Sequence, residues 1–402
     1  MWCALLALLF QAADFQADGL KALDAKQYDS AVELFTKAVA ADSKDYAPRF
    51  YLGLAYSMLG KDAEAVPNYK GALELKPRLY EAEINLGISL LKVKDPEAAI
   101  PYLKDAAEQK PKELQPQYYL GAALLEKGRL DEAEAAFAAA LALDAKSAPS
   151  ELGLGRTLAR KGKIDEADPH FRKAASLDSS YQDSLLELAS ALESNHQGAK
   201  AIEIYKQFPD NPGAAEHVGA LLLETGHADE AIPVLEKVVA GSPTPANRLA
   251  LAQALIDNKQ PDKATPILAQ VVASEPNDYR VRMFYGRVLR DEHKYSGAVP
   301  QFSAAAQVKP DSVEAWNELS AALILDEQYP QALAALDRVR ALGAETSAHY
   351  FFRAMALDRL HQLKEALANY NKFLEMDQGK SPDEEFKARQ RAKTIQNELN
   401  KR

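Results

Sequence analysis

Cysteine is almost missing from these 402 residues: Cys3 stands alone, which leaves no disulfide framework and no cluster of thiolate metal ligands. An excess of basic charge is missing too. Lys and Arg number 48 against 58 Asp and Glu, a net charge of −10, so no basic face is available to neutralise phosphates and a nucleic-acid partner is not expected. Catalytic signatures are also lacking. The seven histidines (His170, His196, His217, His227, His293, His349 and His361) fall at scattered positions, with no HExxH pair or other metal-ligand spacing. Gly153-Leu154-Gly155-Arg156 looks like the start of a nucleotide loop, but no third glycine follows and no strand precedes it. There is no Gly-x-Ser-x-Gly elbow and no cysteine–histidine pairing. The chain therefore reads as a non-enzyme, with no cofactor and no metal expected.

The apolar run Trp2 to Phe10 has nine residues, too few to span a bilayer. It has the length and place of a signal-peptide core, and residues 1–11 read as an apolar, signal-like leader. No Lys or Arg precedes it. The small-x-small cleavage pattern is also poor, since Ala12 and Ala13 are preceded two residues back by Phe10 and Gln11. Cys3 lies at the start of the run and not after it, so it does not read as a bacterial lipoprotein acceptor. Export to the periplasm or beyond is the expectation and a cytoplasmic location the alternative. Membrane contact is expected at most through this leader.

What is present is a repeat. At 47% hydrophobic and 26% charged the chain has ample material for a core, and its length alone suggests two or three globular domains. Self-alignment replaces that estimate with a period of 34. Gly19, Gly53, Gly87, Gly121 and Gly155 lie 34 apart and Ala189 continues the series. After one short unit it resumes at Gly219, Ala252, Gly286, Ser320 and Ala354. Twelve residues after each small residue comes an alanine, from Ala31, Ala65 and Ala99 through to Ala332 and Ala366, in all eleven units. Four further on is a large apolar residue, as in Phe35, Tyr69, Leu103, Phe137, Phe171, Phe302 and Tyr370.

Each unit thus predicts two amphipathic helices joined by a short turn, such as Gly60-Lys61-Asp62. Antiparallel helices approach within about 8–10 Å only where contact residues are small, so the Gly and Ala columns predict the contact line. The large residue, on the same face as the alanine, is expected to fill the gap against the next unit. Pro77, Pro111, Pro243, Pro276 and Pro310 should stop second helices. A further set, Pro67, Pro101, Pro169, Pro233, Pro266 and Pro300, reads as shaping helix entries, where most amides lack partners anyway.

These columns resemble the tetratricopeptide repeat family: a small residue at position 8, Ala at 20, an aromatic or Leu at 24 and often Pro at 32. Tyr56 and Trp316 match its aromatic positions 11 and 4. The resemblance covers roughly residues 12–380 and implies an all-α fold, a right-handed superhelical solenoid. The array divides at a flaw. Unit six is short and ends in Phe208-Pro209-Asp210-Asn211-Pro212-Gly213, which must truncate its second helix. Units one to six occupy 12–211 and units seven to eleven 212–380. Residues 381–402 read as a C-terminal capping helix, opened by a Ser381-Pro382-Asp383-Glu384 capping box and carrying the stripe Ala388, Ala392, Ile395 and Leu399.

The family resemblance further implies a concave face lined by positions 2, 5, 9 and 12 of first helices, where protein partners lie. Phe50, Leu54, Ile84, Ile88 and Tyr118 fall there, with Ser57 and Gln115 beside them. They form either an apolar peptide groove or simply core. Arg156, Arg280, Arg287 and Arg290 fall at the same positions in units five and nine. They form either a basic patch for an acidic segment or a solvated face paired with Asp291 or Glu292. Of the family's two-carboxylate clamp only Asn85 is matched. The expected function is a scaffold for protein–protein interaction in an assembly or export complex of the bacterial envelope. The alternatives are a binding module for an acidic polysaccharide and a regulatory subunit of a separately encoded enzyme.

Overall fold

The structure, a computed structural model, describes residues 14–400, so the apolar leader lies outside the described residues. The described chain is helical, without strands, and falls into two compact units. In the first, ending at Gln207, α1 (14–24) pairs with α2 (Tyr28–Ala41), α3 (Tyr46–Met58) with α4 (Asp62–Leu75), and α5 (Tyr80–Lys92) with α6 (Pro96–Gln109). The next pairs are α7 (Leu114–Glu126) with α8 (Leu130–Leu143), α9 (Ala148–Arg160) with α10 (Ile164–Leu177), and α11 (Ser184–Ser194) with α12 (Gly198–Tyr205). In the second, from Phe208, α13 (Pro212–Glu224) pairs with α14 (Ala228–Gly241), and α15 (Pro245–Asp257) with α16 (Pro261–Ser274). There follow α17 (Tyr279–Asp291) with α18 (Tyr295–Val308), α19 (Val313–Leu325) with α20 (Tyr329–Ala341), α21 (Ser347–Arg359) with α22 (Leu363–Asp377), and α23 alone (Pro382–Asn400). Within each unit, every second helix also packs on the first helix of the next pair.

Counting seven residues back from the small-residue column gives 46, 80, 114, 148, 212, 245, 279, 313 and 347, the observed starts of nine first helices. The column's physical cause is visible at its glycines. A Cβ on Gly87 would lie 2.4 Å from Leu103, and one on Gly286 2.6 Å from the Phe302 ring. All eleven alanines of the second column have no exposed surface. One expectation needs correcting: the large residue at position 24 first closes its own helix pair by lying across that pair's glycine, as Phe35 lies on Gly19 and Tyr69 on Gly53. Phe137 does both, meeting Gly121 of its own pair and Gly153 of the next.

The second proline set also sits differently from the expectation. Pro67, Pro101, Pro169, Pro233, Pro266 and Pro300 lie inside second helices, beyond the free amides of the first turn. Each removes one helical hydrogen bond, which is tolerated because all six rings are exposed and the freed carbonyl can be hydrated. Three of the histidines are not scattered at all. His196, His293 and His361 occupy the same place in their units, the left-handed residue that ends the first helix, with φ of 59°, 60° and 58°. Every unit has such a residue, filled in others by Gly60, Gly128, Gly162 and Gly226, or by Lys26, Lys94, Lys259 and Glu327. The following amide then reaches back five residues, as Lys61 N–H does to Tyr56 O at 2.9 Å, which satisfies a terminal carbonyl.

Contacts across the helix pair within a unit recur as well. Tyr46, Tyr80 and Tyr279 open their units, and the ammonium groups of Lys76, Lys110 and Lys309, thirty residues on, lie 4.3, 3.6 and 4.3 Å from the ring centres. Side chains just before several first helices cap them: Asp45, Ser147, Asn211, Thr244, Asp278 and Ser312 each accept a first-turn amide. His349 closes a capping box with Thr346 and reaches Asn317 in the previous unit at 2.9 Å; burial lowers its pKa.

At the flaw, α12 has only 8 residues against 14 in α10, and Pro212 then opens α13. At the C-terminus, Ala388, Ala392 and Ile395 are buried against Phe351, Tyr370 and Phe373, with Leu399 packed beside them, so α23 covers the last repeat's core. The expected capping box does not form as such. Ser381 donates both its amide (2.6 Å) and its hydroxyl (3.1 Å) to the buried carboxylate of Asp377, which needs those partners, while Glu385 accepts the Gly379 amide.

The left-handed turns yield a stability prediction. Lys94, Lys259 and Glu327 are exposed at positive φ, where a Cβ is strained. Replacing each by glycine should stabilise its unit by about 0.5–1 kcal/mol after glycine's entropic cost, with the triple variant raising the urea midpoint. Gly128→Ala should shift it the other way. A triple variant less stable than the parent would contradict the assignment.

Candidate binding site

The first helices of units four and five and the start of unit six enclose an open pocket of about 480 Å³. Helical spacing builds its walls. Tyr118, Ala122 and Leu125 share one face of α7, and Leu152, Arg156 and Ala159 share one face of α9. Phe137 of α8 and Phe171 of α10 close the floor from behind. Gly153 belongs to that floor because no side chain fits there: its Cβ would stand 2.3 Å from the Phe137 ring. Gly153 and Gly155 are thus helix-packing positions within α9, as the missing third glycine implied. A short 3-10 turn, Ser179–Tyr181, precedes α11 and sets Tyr181 at the pocket edge.

Both arginines at the rim are already engaged. Arg156 donates to both carboxylate oxygens of Glu187, at 2.8 and 2.5 Å, a fork that ties α9 to α11 and raises the guanidinium pKa. Arg160 donates to Leu125 O at 2.8 Å, pinning α9 to the end of α7. Glu151, buried behind the floor, is met by His170 at 2.5 Å and Lys173 at 2.6 Å. Burial raises the pKa of Tyr118, whose ring packs edge-on to Tyr119 at 5.0 Å and lies 6.1 Å from Phe137. The pocket offers an apolar recess whose Arg156 is already engaged by Glu187, with Glu126 also at its edge.

The residues singled out from sequence fare differently. Tyr118 and Arg156, assigned there to two separate sites, line this one pocket. Phe50 and Leu54 are half-buried on α3, the Phe50 ring lying 5.2 Å from Tyr51 and 6.0 Å from Tyr69. On α5, Ile88 is half-buried but Ile84 is only 6% exposed. Ser57 bonds Tyr69 and Ser89, at 3.1 and 3.2 Å, while Gln115 is exposed. Arg287 pairs with Glu314 and Glu318, and Arg290 with Glu318 and Asp291, joining unit nine to unit ten. Arg280 is exposed and has no side-chain partner among the described residues; it borders a shallower recess of about 430 Å³ with Pro245 and Phe284. Asn85 turns back on its own helix, donating to Glu81 O at 2.6 Å.

Tyr181, Leu152, Gly153 and Glu187 were not anticipated. Gly153 carried a signal, a second glycine two residues before the repeat glycine, where other units have larger residues such as Tyr51, Asn85 and Tyr119. Tyr181 carried none, because it falls at the last position of unit five, where other units place the N-cap residues Asp45, Glu113 and Ser147. No group of ligands suited to a metal ion occurs among the described residues, and no described helix is long and apolar enough to cross a membrane.

Stacked helix pairs whose first helices share a pocketed face define a helical-repeat scaffold. The chain belongs to the tetratricopeptide repeat family: family profiles described as tetratricopeptide repeat match residues 17–79, 84–148, 152–215, 222–288 and 286–338. It is accordingly a scaffold of the protein-interaction type, a fold that is typically non-catalytic. No curated protein matches it. Among solved structures it is similar to MamA MSR-1, at 27% identity over 42% of this chain and 97% of that one, with a TM-score of 0.39. It is likewise similar to MamA 41-end from Desulfovibrio magneticus RS-1, at 25% identity over 42% and 96%, TM-score 0.40. YrrB, titled a TPR protein with an unusual peptide-binding site, is 24% identical over 45% and 90%, TM-score 0.41.

The burial of Ile84 beside the half-buried Phe50 sets up a decisive double mutant. Phe50→Ala with Ile84→Ala should cost at least about 3 kcal/mol of stability if both are core. If they form a groove, stability should hold while partner affinity falls some thirty-fold, about 2 kcal/mol. Urea unfolding and binding measured on the same protein separate the two.

Proposed function

We propose that this chain is a non-enzymatic scaffold that holds an extended segment of a partner protein by seating an apolar side chain in the pocket of units four to six. The observation that carries this reading is the combination of an apolar floor made by Leu152, Gly153, Phe137 and Phe171 with a rim whose arginine is already engaged by Glu187. Such a recess gains by shedding water from apolar surface and needs no charge on the ligand. Ala122, small and on the pocket wall, is the place to block it. Ala122→Phe should weaken partner binding by about tenfold or more with little change in melting temperature, and Tyr118→Ala should do the same by removing a wall. Binding through this pocket should also be nearly insensitive to salt. Undiminished affinity in both variants would end the reading.

We place the scaffold in an assembly or export complex of the bacterial envelope, on the strength of the signal-like run Trp2 to Phe10. Expression of the tagged full chain in a bacterium, followed by fractionation and intact mass of the purified protein, tests this. Export predicts a shortened N-terminus in the periplasmic or external fraction; a full-length chain confined to the cytosol contradicts it.

A further inference from the structure

A second pocket, of about 560 Å³, lies between the last repeat and the capping helix. Its floor is apolar: Phe351 and Tyr370 are buried and Met355 is half-buried. Its rim is basic. Arg359 ends α21, His361 sits in the left-handed turn after it, and Lys387 and Arg391 stand four apart on one face of α23. Of the three charged groups, Arg359, Lys387 and Arg391, only Arg391 is neutralised. Arg391 forks onto Asp358 at 2.6 and 2.8 Å and lies 3.5 Å from Glu398, whereas Arg359, His361 and Lys387 have no side-chain partner among the described residues.

The chain carries a net charge of −10, and of its other pocketed arginines Arg156 and Arg160 are engaged while Arg280, at a smaller recess, has no side-chain partner among the described residues. Unpaired cations around an apolar recess favour a ligand that brings an anion and an apolar group together. A bare phosphate would meet the rim but gain nothing from the floor. The capping helix, besides covering the repeat core through Ala388 and Ile395, supplies half of this rim from its other residues.

We propose that this pocket binds an acidic segment of a partner protein in which a carboxylate neighbours an aromatic or large aliphatic side chain. The apolar group rests on Phe351, Met355 and Tyr370, and the carboxylate meets Arg359 and Lys387. The site is independent of the pocket in units four to six. Its recognition is electrostatic where that one's is apolar, so the two readings fail separately.

The test uses the full chain and a labelled Gly-Ser peptide carrying Glu-Phe-Asp-Phe at its centre, titrated by fluorescence anisotropy at low and high salt. Saturable binding is expected, weakening by about tenfold or more at high salt and in Arg359→Ala with Lys387→Ala. Both residues are exposed, so the variant should melt as the parent does; Lys387→Glu alone serves if it does not. The matched peptide with Gln and Asn in place of its acids should bind poorly, and Tyr118→Ala should leave affinity unchanged. The proposal is overturned by any of four results: no saturable binding to the parent, equal affinity in the rim variants, equal affinity for the uncharged peptide, or displacement by inorganic phosphate as effective as by unlabelled peptide.

Discussion

Close approach of two antiparallel helices over a glycine, alanine or serine is the contact on which the remaining structure hangs. Wherever Gly19, Gly53, Gly87 or Gly286 stands on a first helix, the large side chain at position 24 of its partner lies directly over the bare backbone. The alanine four residues earlier is wholly buried at the same seam. In these units a methyl group added at the glycine would overlap a ring or an isobutyl group, which would have to shift in a densely packed interior. Once the pair is closed, its first helix must present the opposite face outward and its second helix must meet the next pair. Stacking then follows from burial alone.

The stack explains why functional surface appears where it does. Closing each pair uses the Gly–Ala–aromatic seam and rings such as Tyr80 with Lys110, and joining neighbours uses ion pairs and hydrogen bonds such as Arg156 with Glu187 and His349 with Asn317. What is left over on the first helices is a face whose character each unit sets for itself. In units four to six small residues, Ala122 and Gly153, open that face into a recess, and Arg156 is taken up by Glu187. In units nine and ten, Arg287 and Arg290 are drawn onto Glu314 and Glu318 and serve cohesion. The same residue type at the same repeat position thus does different work, according to what the next unit offers opposite.

Terminal repeats face a different problem, because a solenoid's last unit has no neighbour to cover it. Here α23 covers it with a thin stripe of Ala388, Ala392 and Ile395 and leaves its charged residues around the edge. The buried Asp377 holds the entry to that helix by accepting bonds from Ser347 and Ser381. Polar groups at this junction are committed in a way that those around Arg359 and Lys387 are not.

Sequence alone determined the period, the helix starts, the seam residues, the short second helix before Phe208 and the covering stripe of the last helix. Each of these is a one-dimensional consequence of steric fit repeated every 34 residues, so a column of small residues suffices to read it. Tertiary structure decided what no column records. Whether Ile84 faces solvent or core, whether Arg287 is available or paired with Glu318, and whether Ser381 caps a helix or serves Asp377 depend on side chains brought close from about four to thirty residues away. Tyr181 reaches its pocket on a 3-10 turn before α11, and Lys387 shares a pocket with Arg359 only because α23 docks on α21 and α22. Such partnerships are set by packing geometry between units, and periodicity within the chain carries no trace of them.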